Sequence, residues 1–181
     1  MGAETTLMPS SFIDSVAPIV HTIVAAAPKR VLDVGPGWGK YGLLCREYLH
    51  DLTWLDAIEV PEGRKPSQDL IYDRLYEGDV RDLKSRALWA AYDLVLMIDI
   101  IEHLPKDDGH NVLASVVDAG TAVLISTPKL FVEQHDPDNP HEEHLCVWEW
   151  SDFQRYDIRT DASTIDSIIY VLGAKTPNEE E

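Results

Sequence analysis

The chain has 181 residues, of which 45% are hydrophobic, so it can bury one sizeable core but is too short for two independent ones. Its formal net charge of −17 repels nucleic-acid backbones and anionic membrane surfaces, which makes nucleic acid a disfavoured partner. No apolar run reaches the length of a membrane span, and the first ten residues lack a signal-peptide pattern. We therefore expect a single soluble, cytoplasmic domain with no membrane partner.

The first predicted element is a helix over residues 10–27. A serine at its start is a candidate cap, and apolar residues recur at helical spacing along one face. That face comprises Phe12, Ile13, Val16, Ile19, Val20, Ile23 and Val24. Pro28 ends the helix, and we expect the core of the domain over residues 28–173, followed by a flexible tail at 174–181.

Strands and helices then alternate. Strands are predicted at 30–34, 53–60, 74–80, 92–100 and 121–127, and helices at 41–49, with Leu43, Leu44 and Tyr48 apolar, and at 107–119. Such alternation implies parallel crossovers. Residues 154–162 and 166–174 predict an antiparallel hairpin at the sheet edge. The expected fold class is α/β, with a doubly wound, mostly parallel seven-stranded sheet and helices on both faces.

The stretch RVLDVGPGWGKYG, residues 30–42, places Asp33 before three alternate glycines at 35, 37 and 39. A dinucleotide-binding turn reads G-x-G-x-x-G, but the third glycine position is occupied here by Lys40. Asp33 would also lie close to two phosphates, and such a like-charge contact costs on the order of a few kcal/mol. This pattern disfavours a nicotinamide cofactor.

A cofactor with positive charge near the loop and a ribose diol beyond it fits better. S-adenosylmethionine carries an ammonium and a sulfonium group, and Gly35, Gly37 and Gly39 would let the backbone approach its methionyl part. Acids end the successive strands, where parallel sheets bind ligands. Glu59 is placed to accept both ribose hydroxyls, Asp79 the adenine amino group with the Val80 N–H nearby, and Asp99 lies beside the methionyl end.

These residues resemble the class I S-adenosylmethionine-dependent methyltransferases over residues 28–173. "VLDVGPGWG", "AIEV", "EGDVRDL" and "YDLVLMIDIIEHLPK" resemble their first four motifs, and "AVLISTP" their fifth strand. The resemblance is closest to small bacterial and phage-type members with GPGxGKYG, IDxIEH and a later N-P-x-E-x-H, here residues 139–144, followed by Trp148. It implies a single-domain, Rossmann-like methyltransferase.

Residues 99–103, "DIIEH", are the candidate reaction centre. His103 is suited to act as a general base for a hydroxyl near neutral pH. Alternatively, Asp99, Glu102 and His103, completed by His144, would hold a divalent metal. The latter arrangement resembles ubiquinone-pathway O-methyltransferases and small-RNA 3′-end 2′-O-methyltransferases. This sequence departs from both families, because Asp99 occupies the first position, where they typically have Glu, and because it has no RNA-binding extension. A third interpretation is that Glu102 and His103 only organise the loop.

Residues 128–147 form a long segment without predicted structure, which we expect to cover the substrate. Trp148, Trp150 and Phe153 are expected to anchor it on the core. We assign His103 and His144 as catalytic candidates and predict O-methylation of a small hydroxylated metabolite or sugar. The alternatives are a metal-assisted RNA 2′-O-methyltransferase and a non-catalytic, S-adenosylmethionine-binding partner module.

Overall fold

The computed structural model describes residues 11–83, 85–134 and 136–174. Ser10, His135 and all but the first residue of the predicted tail lie outside these ranges. The strands are β1 (Arg30–Val34), β2 (Trp54–Glu59), β3 (Arg74–Glu77), β4 (Leu94–Ile98), β5 (Ala122–Pro128), β6 (Asp157–Asp161) and β7 (Ser167–Gly173). The helices are α1 (Ile13–Ala26), α2 (Lys40–Tyr48), α3 (Gln68–Ile71), α4 (Arg86–Trp89) and α5 (Lys106–Asp118).

The seven strands of the described residues form one sheet in the order β3-β2-β1-β4-β5-β7-β6. The first five pair in parallel, while β7 runs antiparallel to both β5 and β6. This confirms the predicted α/β class, with β6 and β7 as the hairpin at the edge. The strand order reverses between β1 and β4, and ligands of open parallel sheets bind outside such a switch point.

Each face of the sheet carries its own hydrophobic core. Neighbouring residues of β1 point to opposite sides, so Leu32 joins one cluster and Val31 the other. The Leu32 cluster includes α4 and α5 residues, whereas the Val31 cluster includes residues of α1 and α2. Helices therefore cover both faces, as the sequence predicted. No helix in the described ranges combines the length and apolar character needed to cross a membrane.

The predicted cap and apolar face of α1 were partly wrong. Phe12 occupies the cap position and makes no side-chain hydrogen bond there. The Ser11 hydroxyl does not cap the helix and accepts hydrogen bonds from the side chains of Tyr41 and Lys40. The buried stripe consists of Ser15, Ile19, Thr22 and Ile23, and Ile13 is 90% exposed. The stripe holds two hydroxyls because both find partners: that of Ser15 donates to the Ser167 hydroxyl, and that of Thr22 to a backbone carbonyl.

The apolar residues noted for α2 also differ from its buried face. Leu43 and Tyr48 are 56% and 48% exposed, whereas Tyr41, Gly42 and Cys45 are buried. The helix begins directly at the glycine turn after β1, which fixes its rotation relative to the sheet. Spacing alone therefore predicted the helix but not the face that it buries.

Candidate active site

A cavity of about 500 Å³ lies beyond the carboxyl ends of the parallel strands. Residues that follow the strands directly line it, among them the glycine turn after β1 and Asp99 after β4. The lining includes Asp33, Gly35, Gly37, Glu59, Asp79, Val80 and Asp99, all predicted to bind the cofactor. Gly39, the remaining residue of that prediction, is not part of the lining.

The three glycines of the turn share a backbone conformation but differ in what surrounds them. All adopt positive φ angles of +63°, +54° and +84°, which L side chains rarely adopt. A Cβ at Gly35 would overlap Ile100 and one at Gly39 would overlap Ile71, whereas one at Gly37 would meet open space. Gly39 is favoured at the start of α2 mainly by its positive φ angle, and its missing side chain leaves room for Ile71. Gly37 leaves the backbone open to close approach by a ligand.

The carboxylate of Glu59 is fixed at the end of β2. It accepts hydrogen bonds from the backbone N–H groups of Val60 and Gly37, at 3.0 and 3.3 Å, and from the Gln68 amide at 3.2 Å. The Gln68 amide also donates to the Gly37 carbonyl at 2.8 Å, so it ties the glycine turn to Glu59. Burial raises the pKa of Glu59 to about 7. Sequence patterns did not single out Gln68.

Asp33 is buried in β1 and bonded to a residue 39 positions away. The Tyr72 hydroxyl donates to its Oδ2 at 2.6 Å, and Gly42 makes room for that hydroxyl, since a Cβ there would overlap it. Burial raises the pKa of Asp33 to about 7, although the Tyr72 hydrogen bond opposes the rise. Asp33 therefore changes charge near neutral pH. Gly42, the final residue of the GKYG stretch, therefore leaves space for this hydrogen bond and is not part of the glycine turn.

Asp79 is paired with Arg81, a contact that the sequence patterns did not indicate. Arg81 donates to both its carboxylate oxygens from Nε at 3.0 Å, and its Nη2 lies 2.5 Å from Oδ2. These hydrogen bonds lower the pKa of Asp79. The Nδ1 atom of His141 lies 4.0 Å from Oδ2. An adenine amino group would share this carboxylate with Arg81, while Val80 beside it lines the cavity.

Asp99 adopts a left-handed backbone conformation with φ +55° immediately after β4. Asp tolerates this region better than most L residues because its short polar side chain bonds locally. The Ser126 hydroxyl on β5 donates to Asp99 Oδ1 at 2.7 Å, and the Asp99 N–H donates to the Ser126 carbonyl at 2.9 Å. Two bonds from the neighbouring strand thus hold Asp99 in the cavity wall.

Glu102, His103 and His144 come together in the wall of the cavity. One potential ligand atom from each lies within 4.8 Å of the others, and the two imidazole rings meet edge to face at 4.6 Å between centroids. Asp99, a fourth candidate from the sequence, is not a member of this group. Glu102 is 1% exposed and neither carboxylate oxygen has a regular hydrogen bond within the described residues, although Thr127 lies nearby.

Burial shifts the pKa values of these three side chains toward their neutral forms. It raises the pKa of Glu102 well above its ordinary value, with a further contribution from Asp99, and lowers the pKa values of His103 and His144. The Nδ1 atom of His103 lies 3.1 Å from the Glu143 carbonyl. Because a carbonyl only accepts hydrogen bonds, Nδ1 carries the proton of the neutral ring and Nε2 carries the lone pair.

The segment 128–147 is attached to the turn that carries Glu102 and His103. The Leu145 N–H donates to the Glu102 carbonyl at 2.8 Å, and the Trp148 indole donates to the Ile101 carbonyl at 2.9 Å. Trp148 and Phe153 are buried and stack on each other, as predicted for anchors, but Trp150 is 60% exposed and was wrongly included.

The same segment supplies part of the cavity wall. Gln134, Asn139, His141, Glu142 and His144 all line it. The side chains of Gln134 and Asn139 donate to the Glu142 carboxylate at 2.9 and 3.3 Å. Burial raises the pKa of Glu142, whose charge in turn contributes to the raised pKa of Glu59. The sequence predicted a covering segment but did not identify Glu142.

A family model described as a methyltransferase domain matches residues 10–158. No curated protein sequence matches the chain significantly. Among solved structures, the methyltransferase domain of bacterial CtHen1 is 16% identical, with a TM-score of 0.59 over 88% of this chain and 97% of that one.

Two further structures are similar over most of this chain. Human N-acetylserotonin methyltransferase, solved with S-adenosylmethionine, is 11% identical, with a TM-score of 0.61 over 88% of this chain and 51% of that one. An O-methyltransferase from neocarzinostatin biosynthesis, solved with S-adenosylhomocysteine and 1,4-dihydroxy-2-naphthoic acid, is 12% identical, with a TM-score of 0.60 over 90% and 58%. At these identities the likeness concerns the fold.

Proposed function

The chain belongs to the methyltransferase-domain family, as a class I S-adenosylmethionine-dependent member, and on this premise we propose that it methylates a hydroxyl group of a small acceptor. The observation that carries the proposal is the position of His103, whose ring lines the cavity while its Nδ1 lies 3.1 Å from the Glu143 carbonyl, and burial lowers its pKa. A hydroxyl nucleophile needs a base, and His103 has a suitable lone pair at Nε2.

We assign the cofactor to the strand ends. In this arrangement the methionyl part lies between the Gly35–Gly37 turn and Asp99, and Glu59 accepts hydrogen bonds from the ribose hydroxyls. Asp79 and Val80 lie at the adenine end. Asp33, Glu59, Asp79, Asp99 and Glu142 give the cavity an acidic lining that complements a sulfonium and an ammonium group, whereas burial raises the pKa of Glu102 well above its ordinary value.

The proposed step is an in-line displacement at the methyl carbon. The acceptor oxygen forms a bond to that carbon as the sulfur–carbon bond breaks, and the hydroxyl proton passes to Nε2 of His103. The products are the methyl ether, S-adenosylhomocysteine and a proton that His103 releases to solvent. Residues 128–134 and 136–147 contribute part of the cavity wall, and a bound acceptor against this wall would displace water from the reacting atoms.

Three observations favour a small acceptor. A cavity of about 500 Å³ must hold the cofactor as well as the reacting group. The net charge of −17 opposes binding of an RNA end, so we expect no salt-sensitive RNA affinity. The small hydroxylated ligand in the neocarzinostatin O-methyltransferase fits the same chemistry. We propose a hydroxylated metabolite or sugar as the acceptor class.

The first experiment is calorimetric titration with S-adenosylhomocysteine and, separately, with NADH, followed by a methyl-transfer screen against phenols, catechols and sugars. We expect S-adenosylhomocysteine alone to bind. His103→Ala should lower turnover by about 10²- to 10⁴-fold and leave S-adenosylhomocysteine affinity within about threefold. Cofactor binding without turnover on any acceptor would instead indicate a non-catalytic module, and methylation of RNA alone would contradict the acceptor class.

A metal-assisted reaction is the second candidate, favoured by the Glu102, His103 and His144 group. The donor set fits a divalent transition metal, since it offers a carboxylate without a regular hydrogen bond in the described residues and two imidazoles. A bound metal would acidify the acceptor hydroxyl. Independently of turnover, calorimetry with MnCl₂ on chelator-treated protein tests this site. Glu102→Gln and His144→Ala should abolish the binding, whereas His141→Ala, a cavity histidine outside the group, should retain it.

A further inference from the structure

We propose that Lys40 binds the α-carboxylate of the cofactor and makes the cavity selective for cofactors that carry this group. The inference rests on the proposed cofactor site and adds a cation to its amino-acid end, where the sequence predicted the glycine turn and Asp99. An amino acid carries a carboxylate as well as an ammonium group. An acidic cavity repels that carboxylate unless a cation or several N–H groups meet it.

Lys40 is the only lysine or arginine among the described residues that line the cavity. Six Asp or Glu side chains line the same space, so among the described Lys and Arg residues only Lys40 can offer a ligand carboxylate a positive charge there. The charge of Asp99 acts on Lys40, which places the ammonium group at the methionyl end. The carboxylate and the ammonium group of the cofactor share one carbon, so their partners must also be neighbours.

Other contacts direct Lys40 toward this position. Its Nζ donates to the Ser11 hydroxyl at 3.3 Å and lies 5.0 Å from the centroid of the Tyr41 ring. The Tyr41 hydroxyl donates to the same Ser11 oxygen at 2.9 Å. Ser11 and Tyr41 both line the cavity beside Lys40. The start of α1 therefore contributes to orienting a cation that belongs to α2.

The position is unfavourable for a lysine on structural grounds. Lys40 is the first residue of α2, where the positive end of the helix dipole opposes a cation, and the first turn contains no acid that would compensate. Partial burial also disfavours its charge and lowers its pKa. The charge of Asp99 and the hydrogen bond to the Ser11 hydroxyl oppose these two effects, so the contacts that favour the ammonium group come from residues that line the cavity.

The test compares S-adenosylhomocysteine with its decarboxylated analogue, in which the amino-acid end is a simple aminopropyl group. Calorimetry on the wild-type protein should show binding of S-adenosylhomocysteine about 10- to 100-fold tighter than binding of the analogue. In Lys40→Met this preference should disappear, because S-adenosylhomocysteine weakens while the analogue binds as before. Lys40→Arg should retain most of the preference.

The matched control is Lys29→Met, which makes the same change in net charge at an exposed position before β1, outside the cavity lining. It should leave both affinities unchanged. Thermal unfolding of Lys40→Met checks that the variant is folded at the temperature of the titration. A loss of affinity in a folded variant then reports on binding.

Three results would overturn the inference. Equal weakening of both ligands in Lys40→Met would mean that Lys40 supports the cavity generally, and unchanged S-adenosylhomocysteine affinity would mean that backbone N–H groups bind the carboxylate. If Lys40→Met instead changed only the KM of acidic acceptors, the carboxylate would belong to the acceptor. Failure of the wild type to bind S-adenosylhomocysteine would refute the proposed cofactor site itself and is recognisable before any variant is made.

Discussion

Replacing Tyr72 by phenylalanine removes a single hydroxyl that supports Asp33 from outside the cavity. The Tyr72 hydroxyl donates to a buried carboxylate at 2.6 Å, and hydrogen bonds to charged groups contribute about 1.5–3 kcal/mol. For a domain of this size, 1 kcal/mol corresponds to about 2–4 °C in melting temperature. Tyr72→Phe should therefore lower the melting temperature at pH 8 by about 3–12 °C, measured by calorimetry or circular dichroism.

The loss should increase with pH. The folded pKa of Asp33 is raised from 3.8 to about 7, so the stability that this group contributes is full below about pH 4 and is lost as the pH rises through 7. Removing Tyr72 withdraws an interaction that favours the ionised form, which raises the folded pKa further. The difference in unfolding free energy between wild type and Tyr72→Phe should thus be larger at pH 8 than at pH 6.

Tyr92→Phe is the matched control, because the Tyr92 hydroxyl donates to the buried Asp56 carboxylate at 2.7 Å and neither residue lines the cavity. It should destabilise the fold while leaving S-adenosylhomocysteine affinity unchanged. Tyr72→Phe should also weaken that affinity, since a neutral Asp33 attracts the ligand ammonium group less. A destabilisation below about 0.5 kcal/mol, or one without pH dependence, would refute the reasoning.

Two further predictions concern Glu59 and α5. Wild-type affinity for S-adenosylhomocysteine should rise about tenfold between pH 6 and pH 8, as Glu59, whose pKa is about 7, becomes ionised. Glu59→Gln should weaken binding and reduce this slope, and an unchanged slope would assign the titration to another group. Gly109→Ala should destabilise the protein by about 1–3 kcal/mol in urea unfolding, because its Cβ would lie 2.5 Å from the Trp148 ring. Asn111→Ala, at an exposed position of the same helix, should be neutral or stabilising, and a stabilising Gly109→Ala would contradict the packing.

Local patterns predicted much of the fold and several residues that line the cavity. The apolar runs of the strands, the glycine turn and the acids at the strand ends are each encoded within a few residues. Parallel strands bring their carboxyl ends to one edge, so an acid at the end of each strand faces a common space. For that reason Glu59, Asp79 and Asp99 could be assigned to one cavity without knowledge of any contact between them.

The roles within that turn were less accessible from the sequence. Three glycines at alternate positions look alike, but only Gly35 and Gly37 line the cavity, while Gly39 makes room for Ile71. In the sequence Gly42 resembles an ordinary helix residue, but in the structure its missing side chain leaves space for the Tyr72 hydroxyl. What a missing side chain makes room for depends on elements that approach from elsewhere in the chain.

The alternation of strands and helices, the glycine turn and the acids at the strand ends follow from the amino-acid sequence alone, because backbone preferences and side-chain periodicity are local. The tertiary structure decided which partners hold the acids: Tyr72 for Asp33 and Ser126 for Asp99. It also decided that His144 reaches His103 while Asp99 stays outside their group. These contacts join residues far apart in the chain, so they exist only once the strand order and the path of residues 128–147 are fixed.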